Sequence, residues 1–386
     1  MFKENRIIGI LGGGQLGKMV LDVANKWGLQ VYILDSNENC PSSKLCSKFF
    51  QGDLMDFDTV VNFGKMVDIL TIEIENVNVE ALKFLESNSL EVLPQSKVIE
   101  IIQDKSKQKE FYNNNQIPTS SYKIFAGKNE LKESISKGEI SLPFIWKASR
   151  MGYDGYGVNK ISNNKDLEKI DDCHCIVEEL ISIKKELSVM VASRKSGELI
   201  NYPVVEMEFN SDSNQVEYIL SPAKINDDLK SNAEDLAIQV AKKLQIVGIL
   251  AVEMFLTSEN EILVNEVAPR PHNSYHFSIE GSYTSQFEQL LRSILDMPLG
   301  STKIIEAAVM VNLVGEKGSN GPVIYKNFDQ IIGLEGVNPH IYGKFETRFN
   351  RKMGHVTVIN ENIDKAKELA KEIKETIIIT SEKWVK

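Results

Sequence analysis

Two carboxylates in neighbouring apolar runs carry the clearest chemistry in this 386-residue chain. Glu253 lies within Leu250-Ala-Val-Glu-Met-Phe-Leu256, and Glu266 within Ile262-Leu-Val-Asn-Glu-Val-Ala268. The polar stretch Thr257 to Glu261 reads as a turn between them. Paired as a hairpin, the runs set the two acids side by side, with Asn265 next to them. Like charges gathered away from water are costly unless a cation sits between them. Two carboxylates and an amide make an all-oxygen set suited to Mg²⁺ held against nucleotide phosphates. Arg270, His272, Asn273, Ser274 and His276 follow at once. A candidate metal site therefore abuts a candidate anion site, which points to phosphoryl transfer onto a small anionic acceptor.

Other residues carry chemistry only in combination. Lys147 ends the strand-like run Pro143-Phe-Ile-Trp-Lys-Ala, just before the glycine-rich stretch Gly152-Tyr153-Asp154-Gly155-Tyr156-Gly157. A lysine so placed reaches phosphates, and a glycine flap lets backbone N–H groups approach them. The bland alternative is an exposed hairpin turn. Glu178 and Glu179 are adjacent on a strand, so one faces a cleft and the other water. Glu186 on the next strand could accept from ribose hydroxyls, although single acids of this kind are commonly surface residues. Lys344, Arg348, Arg351 and Lys352 form a basic cluster in an acidic chain. The cluster suits a phosphate monoester clamp or, more plainly, a solvated loop.

Gly12-Gly-Gly-Gln-Leu-Gly17 follows a strand and opens a helix, with Asp35 closing the next strand. By pattern alone this is a dinucleotide fingerprint, and a nicotinamide-dependent oxidoreductase is a standing alternative. Any tight strand-to-helix turn can hold another ligand.

The elements that must position these groups read as follows. Residues 6 to about 100 alternate strand and helix, predicting a parallel α/β unit. Segment 96–114 reads as one lysine-rich helix. A small α+β unit spans about 117–180 and a larger antiparallel unit 181–300, with a helix from Asn232 to Leu244. Residues 301–386 read as a β-rich C-terminal domain. Net charge is −10, which argues against a nucleic-acid surface. No apolar run is long enough for a membrane span and no signal-peptide pattern opens the chain, so a cytoplasmic protein is expected. The four cysteines are expected as reduced thiols. Cys173-His174-Cys175 reads as part of one strand, because no second Cys/His pair stands at zinc spacing.

Together, Gly12 to Gly17, Gly152 to Gly155, Asn265-Glu-Val-Ala-Pro-Arg-Pro-His-Asn-Ser274, Tyr342-Gly-Lys344 and Arg351-Lys-Met-Gly-His355 resemble the ATP-grasp superfamily. The resemblance is nearer still to its N5-carboxyaminoimidazole ribonucleotide synthetases and covers nearly the whole chain. It implies an ATP-grasp fold with an N-terminal parallel α/β (pre-ATP-grasp) domain over 1–100, an ATP-grasp domain over 101–300 and a C-terminal domain over 301–386. It implies ATP, with Mg²⁺ or Mn²⁺, acting on bicarbonate and 5-aminoimidazole ribonucleotide in a homodimer. Lys105 and Lys147 would hold ATP phosphates beneath the flap Gly152 to Gly157. Glu178, Glu179, Leu180 and Ile181 would bind adenine, Glu186 ribose, and Glu253 and Glu266 the metal, with Asn265 beside them. Arg270, His272 and Asn273 would hold bicarbonate and carboxyphosphate. Tyr153 and Asp154 would meet the aminoimidazole, Lys344 and Arg351 its 5′-phosphate, and Gln15 and Glu75 lie on the same side. Tyr156, Phe209 (in a nucleotide-contacting position) and Tyr275 depart from the family pattern. Other ATP-grasp ligases, of the glycinamide ribonucleotide transformylase or biotin carboxylase type, share the nucleotide chemistry and differ in acceptor.

Overall fold

The alternation at the start of the chain builds a five-stranded parallel sheet. The computed structural model describes residues 6–150, 157–210 and 215–382. Its first sheet runs Lys48–Gln51, Gln30–Asp35, Ile7–Leu11, Ile69–Ile72, Glu91–Val92. Ile8, Ile10, Leu11, Ile69, Leu70 and Ile72 are all buried, as expected for strands covered by helices on both faces. Strand Lys48–Gln51 and helix Phe57–Gly64 have no counterpart in the sequence reading. The strand is short, lies at the edge and lacks alternation.

Segment 96–114 is two helices, Ser96–Ile102 and Lys105–Asn114, not one. Asp104 is the cause. Its carboxylate accepts from the backbone N–H groups of Ser106 and Lys107, capping a new helix with extended backbone at the cap. The break puts Lys105 at the first position of the second helix.

The small unit is a four-stranded antiparallel sheet in the order Tyr122–Phe125, Cys175–Glu179, Phe144–Ala148, Val158–Ile161. Ile145 pairs with Glu178 and Lys147 with Ile176, so Lys147 and Glu178 are diagonal neighbours on one face. Cys173 and His174 precede the strand rather than lying in it. His174 Nδ1 is 2.8 Å from Ser149 Oγ, and the thiols are free.

The large sheet runs Ile262–Ala268, Gly248–Thr257, Ile183–Ser193, Val205–Phe209, Val216–Ser221, Ala308–Val314, Lys352–Ile359, Val337–Ile341. It is antiparallel and continuous across residue 300, because Val216–Ser221 pairs with Ala308–Val314. Residues beyond 300 also add a three-stranded sheet, Glu346–Arg348, Asn320–Lys326, Ile378–Ser381. Helix Asp227–Leu244 begins earlier than its apolar pattern suggests, because Asn226 caps it by accepting from Leu229 N–H. It buries Ala233, Leu236, Ala237, Val240, Ala241 and Leu244 at helical spacing. Each larger apolar side chain so buried contributes about 1.5–3 kcal/mol. The helix packs on strands Ile183–Ser193, Gly248–Thr257 and Ile262–Ala268, backing the hairpin at the sheet edge. Among the described residues no helix is long and apolar enough to cross a membrane.

Candidate active site

Glu253 and Glu266 are cross-strand partners on the hairpin of Gly248–Thr257 and Ile262–Ala268. The next pair is Met254 with Val264, so Asn265 is an extra residue at a β-bulge. Regular alternation would send Asn265 and Glu266 to opposite faces. The bulge lets both serve one cleft. Lys147 Nζ donates to Asn265 Oδ1 at 3.0 Å, and Lys105 Nζ to Glu266 Oε2 at 2.7 Å.

A chain of alternating charge runs inward from there. Lys147 Nζ lies 2.8 Å from Glu178 Oε2, and Lys109 Nζ 2.8 Å from Glu178 Oε1. Lys109 also donates to Thr119 Oγ1 and Ser120 Oγ, at 2.6 and 2.9 Å. Burial opposes ionisation of Glu178, but the Lys147 and Lys109 ammoniums outweigh it and hold the carboxyl below its usual range. Lys105 is held above its usual value, since Glu266, Glu178 and Glu253 overcome the effect of burial. Glu266 is lowered, chiefly by Lys105. Burial, then Glu266 and Glu186, drive Glu253 the other way. Burial pushes Glu186 up to about 7.

The loop after the hairpin closes the cleft. His272 Nε2 is 3.2 Å from Glu253 Oε1, and His272 Nδ1 is 2.8 Å from Ser274 Oγ. Arg270 Nε meets Glu75 Oε2 at 2.7 Å, tying this loop to the parallel sheet. Asn273 and Asn312 exchange amide hydrogen bonds, both of 2.9 Å. Tyr275 is fully buried, and its hydroxyl lies 2.9 Å from the carbonyl oxygens of Ser188 and Pro203. The bulk at position 275 thus fills the core behind the loop and leaves the cleft side to His272 and Asn273.

The glycine turn is already filled by the protein. Gly14 N–H and Gly17 N–H donate to the Glu73 carboxylate at 2.7 and 3.0 Å, and Gly13 N–H to Asp35 Oδ2 at 2.7 Å. A Cβ on Gly14 would stand 2.7 Å from Glu73 Oε1. The donors that a dinucleotide pyrophosphate needs are taken, and so is the acid that would bind its ribose. The nicotinamide reading fails on that geometry.

The remaining predicted residues lie around this cleft or outside the described residues. Glu178 faces the cleft, while Glu179 and Leu180 are exposed and Leu180 and Ile181 lie just past the strand. Gln15 stands at the start of helix Gln15–Lys26, and Phe209 ends strand Val205–Phe209 beside the core. Lys344 Nζ donates to Lys352 O at 2.7 Å and Arg351 to Glu346 O at 2.8 Å, so their own loop orients both. Gly157 has a φ of +74°, which favours glycine. Gly152, Tyr153, Asp154, Gly155 and Tyr156 lie outside the described residues.

Three residues of this neighbourhood, Lys109, Asn312 and Glu73, escaped the sequence reading. Lys109 is one helical turn from Lys105, a spacing that was readable. Asn312 is a lone amide in the apolar strand Ala308–Val314, also a readable signal. Glu73 gave none. Lys352, read only as part of the basic cluster, offsets some of the rise of Glu253. Among the described residues no three His, Cys, Asp or Glu side chains gather as a metal-ligating group, so the candidate metal set is Glu253 and Glu266, with Asn265 beside them.

Comparison with known proteins agrees with this architecture. Residues 5–103 match the ribonucleotide synthetase preATP-grasp domain, 110–287 the ATP-grasp domain, and 308–369 the phosphoribosylaminoimidazole carboxylase C-terminal domain. The chain is 36% identical to the N5-carboxyaminoimidazole ribonucleotide synthase of Bacillus subtilis, over 93% of this chain and 92% of that protein. The N5-carboxyaminoimidazole ribonucleotide synthetase structure from Thermotoga maritima is 40% identical, with a TM-score of 0.90, covering 98% of this chain and 100% of that one. An Aspergillus clavatus N5-carboxyaminoimidazole synthase, solved with ADP and 5-aminoimidazole ribonucleotide, is 28% identical with a TM-score of 0.88, covering 97% and 98%. With its domain order and its fold in common with these proteins, the chain belongs to the N5-carboxyaminoimidazole ribonucleotide synthetase family of ATP-grasp, ADP-forming ligases.

Proposed function

We propose that this chain couples ATP cleavage to carboxylation of the exocyclic amine of 5-aminoimidazole ribonucleotide, in purine biosynthesis. The observation that carries the reading is the pairing of Glu253 with Glu266, flanked by Lys105 on one acid and His272 on the other. An oxygen of bicarbonate takes the γ-phosphoryl group, giving carboxyphosphate and ADP. The amine then attacks the carboxyl carbon, or CO₂ released from it. The bond to phosphate breaks, phosphate leaves and the amine gives up a proton.

The chain's own side chains supply position and charge. Lys105 and Lys147 offset the negative charge of the phosphates, and Lys109 with Glu178 keeps Lys147 in place. Arg270, His272 and Asn273 orient bicarbonate, with Arg270 braced by Glu75. Lys344 and Arg351 take the ribonucleotide phosphate. The segment around 178–181, with Phe209 nearby, takes adenine, and Glu186 the ribose. The flap 152–157 covers the nucleotide and excludes water. Gln15 and Glu75 line the ribonucleotide side.

The donor set fits a divalent cation. Two carboxylates are held together at a cost that shows in the raised Glu253 carboxyl, and hard oxygen ligands suit Mg²⁺ or Mn²⁺. When bound, that ion supplies neutralisation of the phosphate oxygens. The division into units 1–100, 101–300 and 301–386, a homodimer and a cytoplasmic setting complete the proposal by family likeness.

A coupled ADP assay with each cosubstrate omitted in turn tests it. ADP release is expected to require both bicarbonate and aminoimidazole ribonucleotide for full rate. Stimulation by formate with glycinamide ribonucleotide instead would assign the chain to a different acceptor.

A further inference from the structure

Gln286 opens helix Gln286–Ile294, and it is fully buried. Its side chain is spent on the loop that carries His272. Gln286 Oε1 accepts from His272 N–H at 2.8 Å, and Nε2 donates to His272 O at 2.9 Å. The same Nε2 lies 2.9 Å from His276 Nδ1. His276 is buried, and burial holds its pKa well below the ordinary value, so its ring is neutral and Nδ1 can accept. One amide thereby satisfies the N–H and the carbonyl of a single residue, plus a second ring in the same loop. The peptide groups on either side of His272 can neither rotate nor slide without breaking one of these bonds. The helix that carries Gln286 is itself anchored, since Gln286 N–H donates to Ser278 Oγ at 2.9 Å and Ser285 caps its first turn.

We infer that Gln286 is a positioning residue for the carboxylation site: it fixes the backbone of His272, and through it the imidazole that faces Glu253. Its side chain is fully buried and bonded to protein groups, so it acts through His272. The inference rests on the reading that His272 serves bicarbonate and carboxyphosphate. Its physical basis is that an active-site group set on a loop needs the loop immobilised. Misplacement of a reacting group by about 1 Å costs on the order of 10²-fold in rate.

The helix supplies its own control. Gln289, one turn on and equally buried, clamps Gly300 in the same manner: Nε2 donates to Gly300 O and Oε1 accepts from Gly300 N–H, both at 2.9 Å. Replacing either glutamine by methionine removes two backbone partners from the same helix. Only one of the two losses lies at His272.

The test compares Q286M, Q289M and H272A in bicarbonate-dependent ADP release, with the thermal midpoint and the affinity for ADP measured on each. Both methionine variants are expected to lose thermal stability to a similar extent and to keep wild-type ADP affinity. Q286M alone should lose kcat/KM for bicarbonate, by about 10²-fold, with KM for ATP little changed. Bicarbonate kinetics in Q286M matching those in Q289M, while H272A is inactive, would overturn the inference and leave the function reading intact. An H272A enzyme of wild-type activity would overturn both. Should Q286M fail to fold, Q286E retains the shape and the acceptor for His272 N–H while its ionised form lacks both donors, and it carries the same comparison.

Discussion

Glu253 and Glu266 face each other across the hairpin, yet their carboxyls are driven in opposite directions. Lys105 holds Glu266 ionised, whereas burial beside Glu266 and Glu186 raises Glu253. Burial thus favours the protonated form of Glu253 at the place where a cation is proposed to sit. Arrival of Mg²⁺ with nucleotide is expected to expel that proton. Calorimetric titration of ADP and Mg²⁺ near pH 7, repeated in buffers of different ionisation enthalpy, should register proton release. The E253Q variant should register less, and equal release by the two proteins would disprove the assignment.

Glu186 gives a stability prediction with a definite sign. Burial raises its folded-state carboxyl from 4.5 to about 7. The folded protein therefore binds a proton that the unfolded chain has already lost, and stability from this group is fully present below about pH 4.5. It is lost as pH rises towards about 7. In the absence of ligand, the thermal midpoint of E186Q relative to the parent chain should climb between pH 5 and 7.5. A constant offset across that range would mean Glu186 is not the group responsible.

Glu266→Gln keeps the side-chain shape but removes a charge that Lys105 contacts at 2.7 Å. The expected loss of bicarbonate-dependent ADP release is about 10²–10³-fold, the scale for removing one preorganised electrostatic partner of a transition state. Circular dichroism should be unchanged. A variant releasing ADP at the parental rate would remove Glu266 from the site.

Arg351→Ala should act on a different constant. Arg351 is oriented by Glu346 O, and a charge-assisted bond to phosphate contributes about 1.5–3 kcal/mol. The KM for the ribonucleotide is expected to rise about 10–100-fold at little cost in the basal ATP cleavage rate. An unchanged KM would free this loop from the clamp role.

Much of this was legible in the residues because local pattern and chemistry agreed. The paired acids, the turn between them and the parallel first sheet follow from alternation and turn chemistry alone. What stayed hidden depends on partners remote in sequence. Asn265 shares the cleft with Glu266 only because the strand bulges, and no residue type announces that bulge. The glycine turn looks like a phosphate site until Glu73 and Asp35 are seen bonded to its N–H groups. Asp104 split a helix that apolar spacing ran together, since a capping bond competes with helical propensity. Lys109 stands one helical turn from Lys105, a legible spacing, but a lysine on a lysine-rich helix looks solvated until Glu178 is folded onto it.

Lys109 offers the most severe test of the charge chain. Its ammonium has Glu178, Thr119 and Ser120 as partners, and its side chain and that of Glu178 are each only 3% exposed. Lys109→Met preserves length and apolar volume but, among the described residues, leaves Glu178 with Lys147 as its one contacting ammonium. Removing one member of a buried pair costs about 3 kcal/mol or more, so the urea midpoint should fall accordingly. The remaining attraction then concentrates on Lys147, and its ammonium is expected to be drawn away from the phosphates, raising KM for ATP. The double variant K109M/E178Q removes the orphaned charge and should recover most of the stability without recovering ATP affinity, because Lys147 has then lost the carboxylate that locates it. Recovery of both together would reduce Lys109 and Glu178 to packing, and loss of neither in K109M would exclude the pair from any part in holding the nucleotide.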